Sequence, residues 1–430
     1  MATVLENSGT SSSGKVQPRM TVAIVAAVAI VLSGTLGWLL MDAPAVDDSM
    51  FVLATPAPQR GDNSYALLVS SSESIRASDL ANPGRVEAHI PADYNERTRA
   101  ASDQILALPA VVQLPERVAQ LLSAPVFDPT DPVLDPARER VLLGARDIAA
   151  LLRLRVQRDL FVGELQHAWD TTRQGLMFCQ LLQERTLGWD ELALAQSCRG
   201  SILRGLETGF VTKRWQLPQL AAIASLPLTR VSAQRWMRAL AYEYRLFQLV
   251  IERHSAEISP AWRQVVYHPN RTKRALLAAF TPVAQHLRAG DLRGARAAIE
   301  RAQIRAHDAS DALRNGFGAR QVATHLAGLD QPLADQLDAA ALMSLVRVRA
   351  ALERYRLDRG AWPNDLAQLQ GAYIAQLPDD PWSDGDALRY VTQPRKVYSR
   401  GADGRDDGGA FSNDFAATRQ TKDIGFALAD

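Results

Sequence analysis

Apolar and polar residues follow three different patterns along this chain. An apolar run without a charged residue, MTVAIVAAVAIVLSGTLGWLLM, covers residues 20–41. Beyond residue 96, long segments repeat apolar residues every three or four positions, which is typical of amphipathic helices. Near the C-terminus, the short segments ALRYVT and KVYSRG predict two strands. These patterns predict an α+β chain that is mostly α.

The apolar run predicts a single transmembrane helix, since a helix needs roughly 20 apolar residues to cross a hydrocarbon core of about 30 Å. Basic residues precede the run and acidic residues follow it: Lys15, Arg19, Asp42, Asp47 and Asp48. The positive-inside rule then places the N-terminus in the cytoplasm. We therefore expect a single-pass protein of a bacterial inner membrane, with a disordered cytoplasmic tail at residues 1–19 and most of the chain in the periplasm.

A cleaved signal peptide is the alternative to this anchor. Ala43 and Ala45 have the A-x-A spacing of a cleavage site. Signal peptides usually have an apolar region of about 7–15 residues, and this run is longer. The length therefore favours an uncleaved signal anchor.

Residues 42–95 are rich in Pro, Asp and Ser and predict a linker with one strand, at SYALLVSS. Residues 96–332 predict a helical extracytoplasmic body. Its helices are predicted from segments with turn signals between them: RDLFVGELQHAWDTTRQGLMFCQLLQER, DELALAQSCRGSILRGLE, SAQRWMRALAYEYRLFQLVIERH, KRALLAAFTPVAQHLRAG and DLRGARAAIERAQ.

The chain has two cysteines, so one disulfide is the most it can form. If LGW, before Asp190, is the turn of a helical hairpin, Cys179 and Cys198 lie at about the same height on neighbouring antiparallel helices. A bridge between them requires their Cβ atoms to face each other, and it would persist in an oxidising periplasm. The alternative is two separate buried thiols.

Charge and motifs restrict the function classes. The chain has 48 basic and 47 acidic residues, which argues against a general nucleic-acid partner. No H-E-x-x-H, G-x-S-x-G or Cys/His zinc spacing occurs, and the seven histidines are scattered. The motifs therefore favour a protein that is not an enzyme.

Residues 333–430, which we call the C-terminal module, begin with a long amphipathic helix in LADQLDAAALMSLVRVRAALERYRLDRGAWP. Gly360 is placed to cap this helix, and Pro363 prevents its continuation. Three further blocks follow in order: YIAQLPDDPWSDGDALRY, VYSRGADGRDDGG and KDIGF.

The four blocks resemble the globular domain of the major pseudopilin of type II secretion systems, and type IV pilin-like folds more widely. ALERYRLDRGAWP is similar to the end of that family's spine helix, and the later blocks to its L-P-x-D-P-W, Y-S-x-G-A-D-G and D-D-I segments. The resemblance implies a long helix packed on a small antiparallel sheet.

The resemblance also implies a calcium site in the loop from Tyr398 to Gly409. By position, the resemblance assigns the roles of calcium ligands to the side chains of Asp403 and Asp423 and to the backbone carbonyls near Arg400 and Arg405. Nearby carboxylates are substitutes: Asp406, Asp407 and Asp414. Carboxylate and carbonyl oxygens are the ligands that Ca²⁺ prefers. A solvated turn is the alternative interpretation of this loop. A catalytic pair of acids is not supported, because the sequence offers no base partner.

These observations predict a membrane-anchored periplasmic scaffold with the module at its tip, whose partners are envelope proteins such as secretion or pilus components. The alternative is an envelope enzyme or ligand-binding protein in which the helical body holds the site. A deep polar pocket lined by acids or histidines would favour that alternative.

Overall fold

The structure, a computed structural model, describes residues 26–35, 41–51, 64–77, 91, 93–124, 138–185, 188–228, 230–257, 267–307, 312–411 and 423–428. This part of the chain is mostly helical, with a small antiparallel sheet of three strands. The predicted α+β class with mostly α structure is confirmed at this level.

The α-helices of the described residues are α1 (Ser64–Ala77), α2 (Arg99–Leu106), α3 (Pro109–Val112), α4 (Leu114–Ser123), α5 (Arg138–Val162), α6 (Leu165–Arg185), α7 (Trp189–Val211), α8 (Leu217–Ala224), α9 (Ala233–Glu257), α10 (Pro269–Arg288), α11 (Leu292–His307), α12 (Ala312–Leu326) and α13 (Gln331–Arg359). Short 3₁₀ helices occupy Ser49–Phe51 and Leu366–Leu369. The strands are β1 (Arg389–Thr392), β2 (Arg395–Ser399) and β3 (Ile424–Ala427).

Only part of the predicted membrane span is described. Residues 26–35 are helical, whereas residues 20–25 and 36–40 and the predicted tail at 1–19 lie outside the described residues. No helix within the described residues combines the length and the hydropathy that crossing a bilayer requires.

Residues 41–51, which we call the strap, lie against the helical body. The carboxylate of Asp42 accepts hydrogen bonds from the backbone N–H groups of Asn270 (3.0 Å) and Arg271 (3.1 Å) at the start of α10. Phe51 is buried and stacks on Tyr244 of α9, with 5.0 Å between ring centroids. This stretch of the predicted linker is therefore part of the folded body.

The predicted strand at SYALLVSS is wrong, because these residues begin α1. Tyr65, Leu68 and Ile75 share one face of this helix and are buried, and α1 packs on α4 and α5. Packing against α4 and α5 buries the apolar face of this helix.

Two sequence predictions about α5 to α7 have different outcomes. The apolar stripe through RDLFVGELQHAWD does not form one helix, because Gly163 (φ 90°) ends α5 and α6 starts at Leu165. The helical hairpin around LGW is confirmed, since α6 ends at Arg185, α7 begins at Trp189 and the two helices pack together.

Helix α7 lies at the centre of the body. It contacts α5 and α6 on one side, α13 on another and α9 near its start. Its buried residues accordingly belong to three hydrophobic clusters: Leu194 packs with α1 and α4 to α6, Trp189 with α9 to α12, and Leu206 with α8 and α13.

In the C-terminal module, β1 pairs with β2 and β2 with β3, both antiparallel, with Val397 opposite Tyr390 and Phe426. Helix α13 packs on α7 and α8 as well as on β2 and β3. It ends at Gly360, whose φ of 70° is the left-handed conformation predicted for this cap. The module therefore shares one hydrophobic core with the body, whereas the sequence predicted a separate tip.

Polar contacts strengthen the same junction. Trp382 donates from Nε1 to Asp338 of α13 (3.0 Å), and its backbone carbonyl accepts from Arg293 of α11 (3.3 Å). The guanidinium of Arg296, also on α11, lies 5.5 Å from the centroid of the Trp382 ring. Trp382 of the LPDDPW block thus connects the module to α11 of the helical body.

Candidate functional site

One candidate site is a pocket between α9 and α12, which we call the α9–α12 pocket. It has a volume of about 660 Å³, within the range of roughly 300–1,000 Å³ usual for small-molecule sites. Two acids and two histidines are among its lining residues: Asp190, Glu243, Phe247, Val250, His254, Phe317, Arg320, Gln321, Thr324, His325, Ala327, Gly328 and Leu329.

A buried amide fixes the helix that forms one wall. Asn315 interrupts the helical geometry of α12, with φ −149° and ψ 41°. Its Oδ1 accepts from the backbone N–H of His268 (2.9 Å), and its Nδ2 donates to Thr272 Oγ1 (2.9 Å). These bonds hold the start of α12 against the start of α10 and so position the residues that follow along the pocket.

His325 lies on the inner wall. Its ring is 4.6 Å from that of Phe247 and 6.3 Å from that of Phe280, measured between centroids. Burial lowers its pKa to about 4, and a hydrogen bond with the backbone of Glu243 offsets part of this effect. The imidazole is therefore neutral at physiological pH. Its Nε2 is buried and has no hydrogen-bond partner among the described residues.

Gln321 precedes His325 by one helical turn. Its Nε2 and Oε1 are both buried, and neither has a hydrogen-bond partner in the described part of the chain. A buried polar group without a partner costs about 1–3 kcal/mol, so such groups are uncommon in folded proteins. This wall of the pocket therefore presents three buried polar atoms without hydrogen-bond partners among the described residues, on successive turns of α12.

The acids and the second histidine have more ordinary surroundings. Glu243 accepts from the backbone N–H of Trp189 at the start of α7 (3.2 Å), which ties α9 to α7. His254 contacts the carbonyl of Val250 through Nδ1 (2.9 Å), and its ring is 5.6 Å from Phe317. Serine, cysteine and lysine are absent from the residues that line the pocket. Its polar side chains, among them Glu243, Gln321 and His325, are able to form hydrogen bonds with a ligand.

A group with metal-ligating side chains lies at the corner between α5 and α6. Single ligand atoms of Asp159, Glu164 and His167 are within 4.8 Å of one another. His167 Nδ1 is 2.5 Å from Asp159 Oδ2, and Arg158 Nη1 is 3.0 Å from Asp159 Oδ1 and 3.5 Å from Glu164. The Arg158 guanidinium lies close to both acids, so this group is an ion-pair network.

Of the calcium ligands that the resemblance implies, Asp423 has the more suggestive surroundings. Its side chain is fully buried; Oδ2 accepts from the backbone N–H of Gly409 (2.8 Å), and Oδ1 has no partner among the described residues. Burial raises its pKa, backbone N–H groups oppose this, and the charges of Asp407 and Asp406 raise it further. An uncompensated oxygen in a negative environment fits a cation.

The other implied ligands are not gathered around Asp423. Asp403 is exposed and accepts from the N–H of Arg405 (3.1 Å) in a local turn. Asp406 accepts from Tyr398 Oη (2.9 Å). Within the described ranges, these carboxylates form no metal group comparable to the one at Asp159. Asp414 lies outside the described residues.

Arg400 and its neighbours are held by Asp380, which lies in the LPDDPW block. Asp380 is buried and accepts from Ser399 Oγ (2.6 Å), from the N–H of Trp382 (3.0 Å) and from the N–H of Arg400 (3.0 Å). It therefore joins the turn after LPDDPW to the end of β2, just before the acidic loop.

The proposed disulfide is not formed in the structure, where Cys179 and Cys198 are both buried thiols. Cys198 Sγ points towards the carbonyl oxygen of Ala145 on α5, at 3.5 Å. Burial raises the pKa of Cys179 to about 12, which makes it an unreactive core residue.

No protein-family model, curated protein or solved structure matches this chain. The resemblance of the C-terminal module to pseudopilins therefore remains a prediction from its sequence.

Proposed function

We propose that this protein is a ligand-binding protein of the bacterial envelope, anchored by residues 20–41, which binds a small polar molecule in the α9–α12 pocket. In this proposal the C-terminal module has a pilin-like fold and serves as an accessory that stabilises the body. The protein is proposed to act by binding and not by catalysis.

The observation that carries the proposal is the wall formed by Gln321 and His325. The carboxamide offers one donor and one acceptor side, and the imidazole offers a further ring nitrogen, all without partners in the described structure. A ligand that carries both donors and acceptors would satisfy them. Phe317 is 37% exposed and provides an apolar surface for the rest of such a molecule.

The position of α13 disfavours assembly of the module into a filament. The resemblance implies a spine helix that packs against partner subunits. Here α13 packs on α7 and α8 as well as on the sheet, and residues around its circumference are buried, including Leu342, Met343 and Leu345. The body thus takes the place that partner subunits would need.

A thermal-shift screen of the full chain tests the proposal. The probes are the standard amino acids, common monosaccharides and nucleosides, and a compound that raises the melting temperature is confirmed by calorimetry. Gln321→Leu should abolish the shift, because it removes the unpaired donor and acceptor. Gln285→Leu, at an exposed glutamine of α10, should leave it unchanged. A shift that survives in Gln321→Leu would place the ligand elsewhere.

The scaffold function remains a second candidate because of the sheet. Strand β1 lies at its edge, and its outer side is not paired with another of the named strands. A partner could add a strand there. Affinity purification of the full chain from envelope membranes should then recover secretion or pilus components, and their absence would remove this candidate.

A further inference from the structure

A second cavity, separate from the α9–α12 pocket, lies where α6, α7 and α8 meet α13. We call it the α6–α8 groove, and its volume is about 410 Å³. Trp169 of α6 and Met343 of α13 are almost fully buried at this groove. Since Met343 belongs to α13, the groove adjoins the helix that the body shares with the module.

The sides of the groove are mostly apolar. Met177 of α6 is 50% exposed, and the groove is also lined by Leu176 and Leu226. A hydrocarbon that covered Met177 would remove apolar surface from water, which stabilises a complex by roughly 25 cal/mol per Å².

The charges of the groove have one sign. Arg199 is almost fully buried, whereas Arg173 is exposed and lies 3.9 Å from Asp170, which is not among the residues that line the groove. The lining residues themselves include no carboxylate. Arg199 Nη1 donates to Gln196 Oε1 (3.3 Å). Burial lowers the pKa of Arg199, which means that its positive charge is poorly solvated. An anion bound in the groove would interact favourably with these guanidinium groups.

We propose that the α6–α8 groove binds a free fatty acid, with its carboxylate at Arg173 and Arg199 and its hydrocarbon chain along Met177 and Leu226. A hydrocarbon chain requires no hydrogen bonds along its length. An extended peptide requires partners for its backbone, and the groove has helical walls that offer no strand edge. The shape and the charge therefore select a carboxylate with an apolar body.

Photolabelling of the full chain in membranes tests this inference. The probe is a palmitic acid analogue with a diazirine in its chain, and the labelled peptides are identified by mass spectrometry. Labelling is expected on the α6 peptide with Met177 and on the segment with Leu226. Excess palmitate should suppress it, whereas hexadecanol, which lacks the carboxylate, should not.

Two variants and an internal reference complete the experiment. Arg173→Gln should reduce groove labelling about fivefold, as expected for loss of a partly exposed charge pair of about 1 kcal/mol. Arg185→Gln, at the exposed end of the same helix, should not reduce it. Labelling of residues 20–41 reports the probe dissolved in lipid and should be equal in all variants. Groove labelling that is absent, that hexadecanol suppresses equally, or that Arg173→Gln leaves unchanged would overturn the proposal.

Discussion

The guanidinium carbon of Arg349 lies 4.9 Å from the ring centroid of Phe426, on β3. It lies at the same distance from Phe210 of α7, so the cation is held between an aromatic ring of the module and one of the body. Nη1 of Arg349 is 4.0 Å from Glu207. One buried side chain thus joins α13, the sheet and the centre of the helical body.

Replacing this cation should weaken the whole protein. Burial raises the pKa of Glu207 and the charge of Arg349 opposes this, so Arg349→Met would leave a partly buried acid without its main compensating charge. Because Glu207 is only partly buried, we expect a loss of about 2 kcal/mol in the free energy of unfolding, measured by urea denaturation. Arg359→Met, at an exposed position of the same helix, should change it by less than about 0.5 kcal/mol. Equal effects would show that the buried contact has no special role.

Asp380 and Asp379 form a matched pair for testing the LPDDPW block. Asp380→Ala should lower the stability by about 3 kcal/mol, because it leaves the Ser399 hydroxyl and the N–H groups of Trp382 and Arg400 without their acceptor. Asp379→Ala should have little effect, since Asp379 is exposed. The comparison is made by thermal and urea unfolding, and similar losses in both variants would contradict the assignment.

His325 should make the stability of the protein depend on pH. An unfolded histidine has a pKa of about 6.5, whereas this one is lowered to about 4. Between these values the unfolded chain binds a proton that the folded protein does not. The free energy of unfolding should therefore fall as the pH decreases through this range, by at most about 3 kcal/mol.

The comparison variant for this prediction is His325→Phe, which keeps an aromatic ring beside Phe247 and Phe280. Urea denaturation at about pH 7.5 and about pH 5 should show a loss roughly 2 kcal/mol larger for the wild type than for the variant. Parallel pH profiles would exclude a buried neutral imidazole.

Gln321→Leu should have an unusual effect in the absence of ligand. Most substitutions of buried polar groups destabilise a protein, but this one removes two atoms that lack partners. We therefore expect the unfolding free energy to stay constant or rise by about 1 kcal/mol. A loss of more than about 1 kcal/mol would mean that the carboxamide is bonded within the fold, and the proposed binding wall would be wrong.

Calcium should stabilise the full chain if Asp423 is a ligand. A metal that binds only the folded state raises the melting temperature by linkage. The melt is compared in millimolar Ca²⁺ and in chelator, and Asp423→Asn should abolish the difference. The isolated module is unsuitable, because separating it would expose the face of α13 that α7 and α8 cover. Identical melts in Ca²⁺ and chelator would reject the site.

Local sequence features predicted the elements well where the chain carries its own signals. The long helix before Gly360, the two strands around Arg395 and the hairpin at LGW all depend on spacing, capping and turn residues that neighbours in the chain determine. The segment SYALLVSS has weaker local signals, so contacts with distant helices decide its structure.

Most of the candidate site could not have been predicted in this way. Gln321 and His325 have no motif around them, and their lack of partners follows from how α12 lies against α9 and α10. Arg349 carries a charge, so hydrophobic periodicity does not predict its burial; it is buried because α13 is covered on more than one side. Burial of this kind depends on tertiary packing, and the periodicity of one helix does not show which of its faces other elements cover.

The strap has a mechanical consequence. Asp42, which immediately follows the apolar run, is bonded to the first turn of α10, so no slack chain separates that run from the body. Tension on the N-terminal segment would be transmitted directly to α10, and α10 is joined to α12 through Asn315.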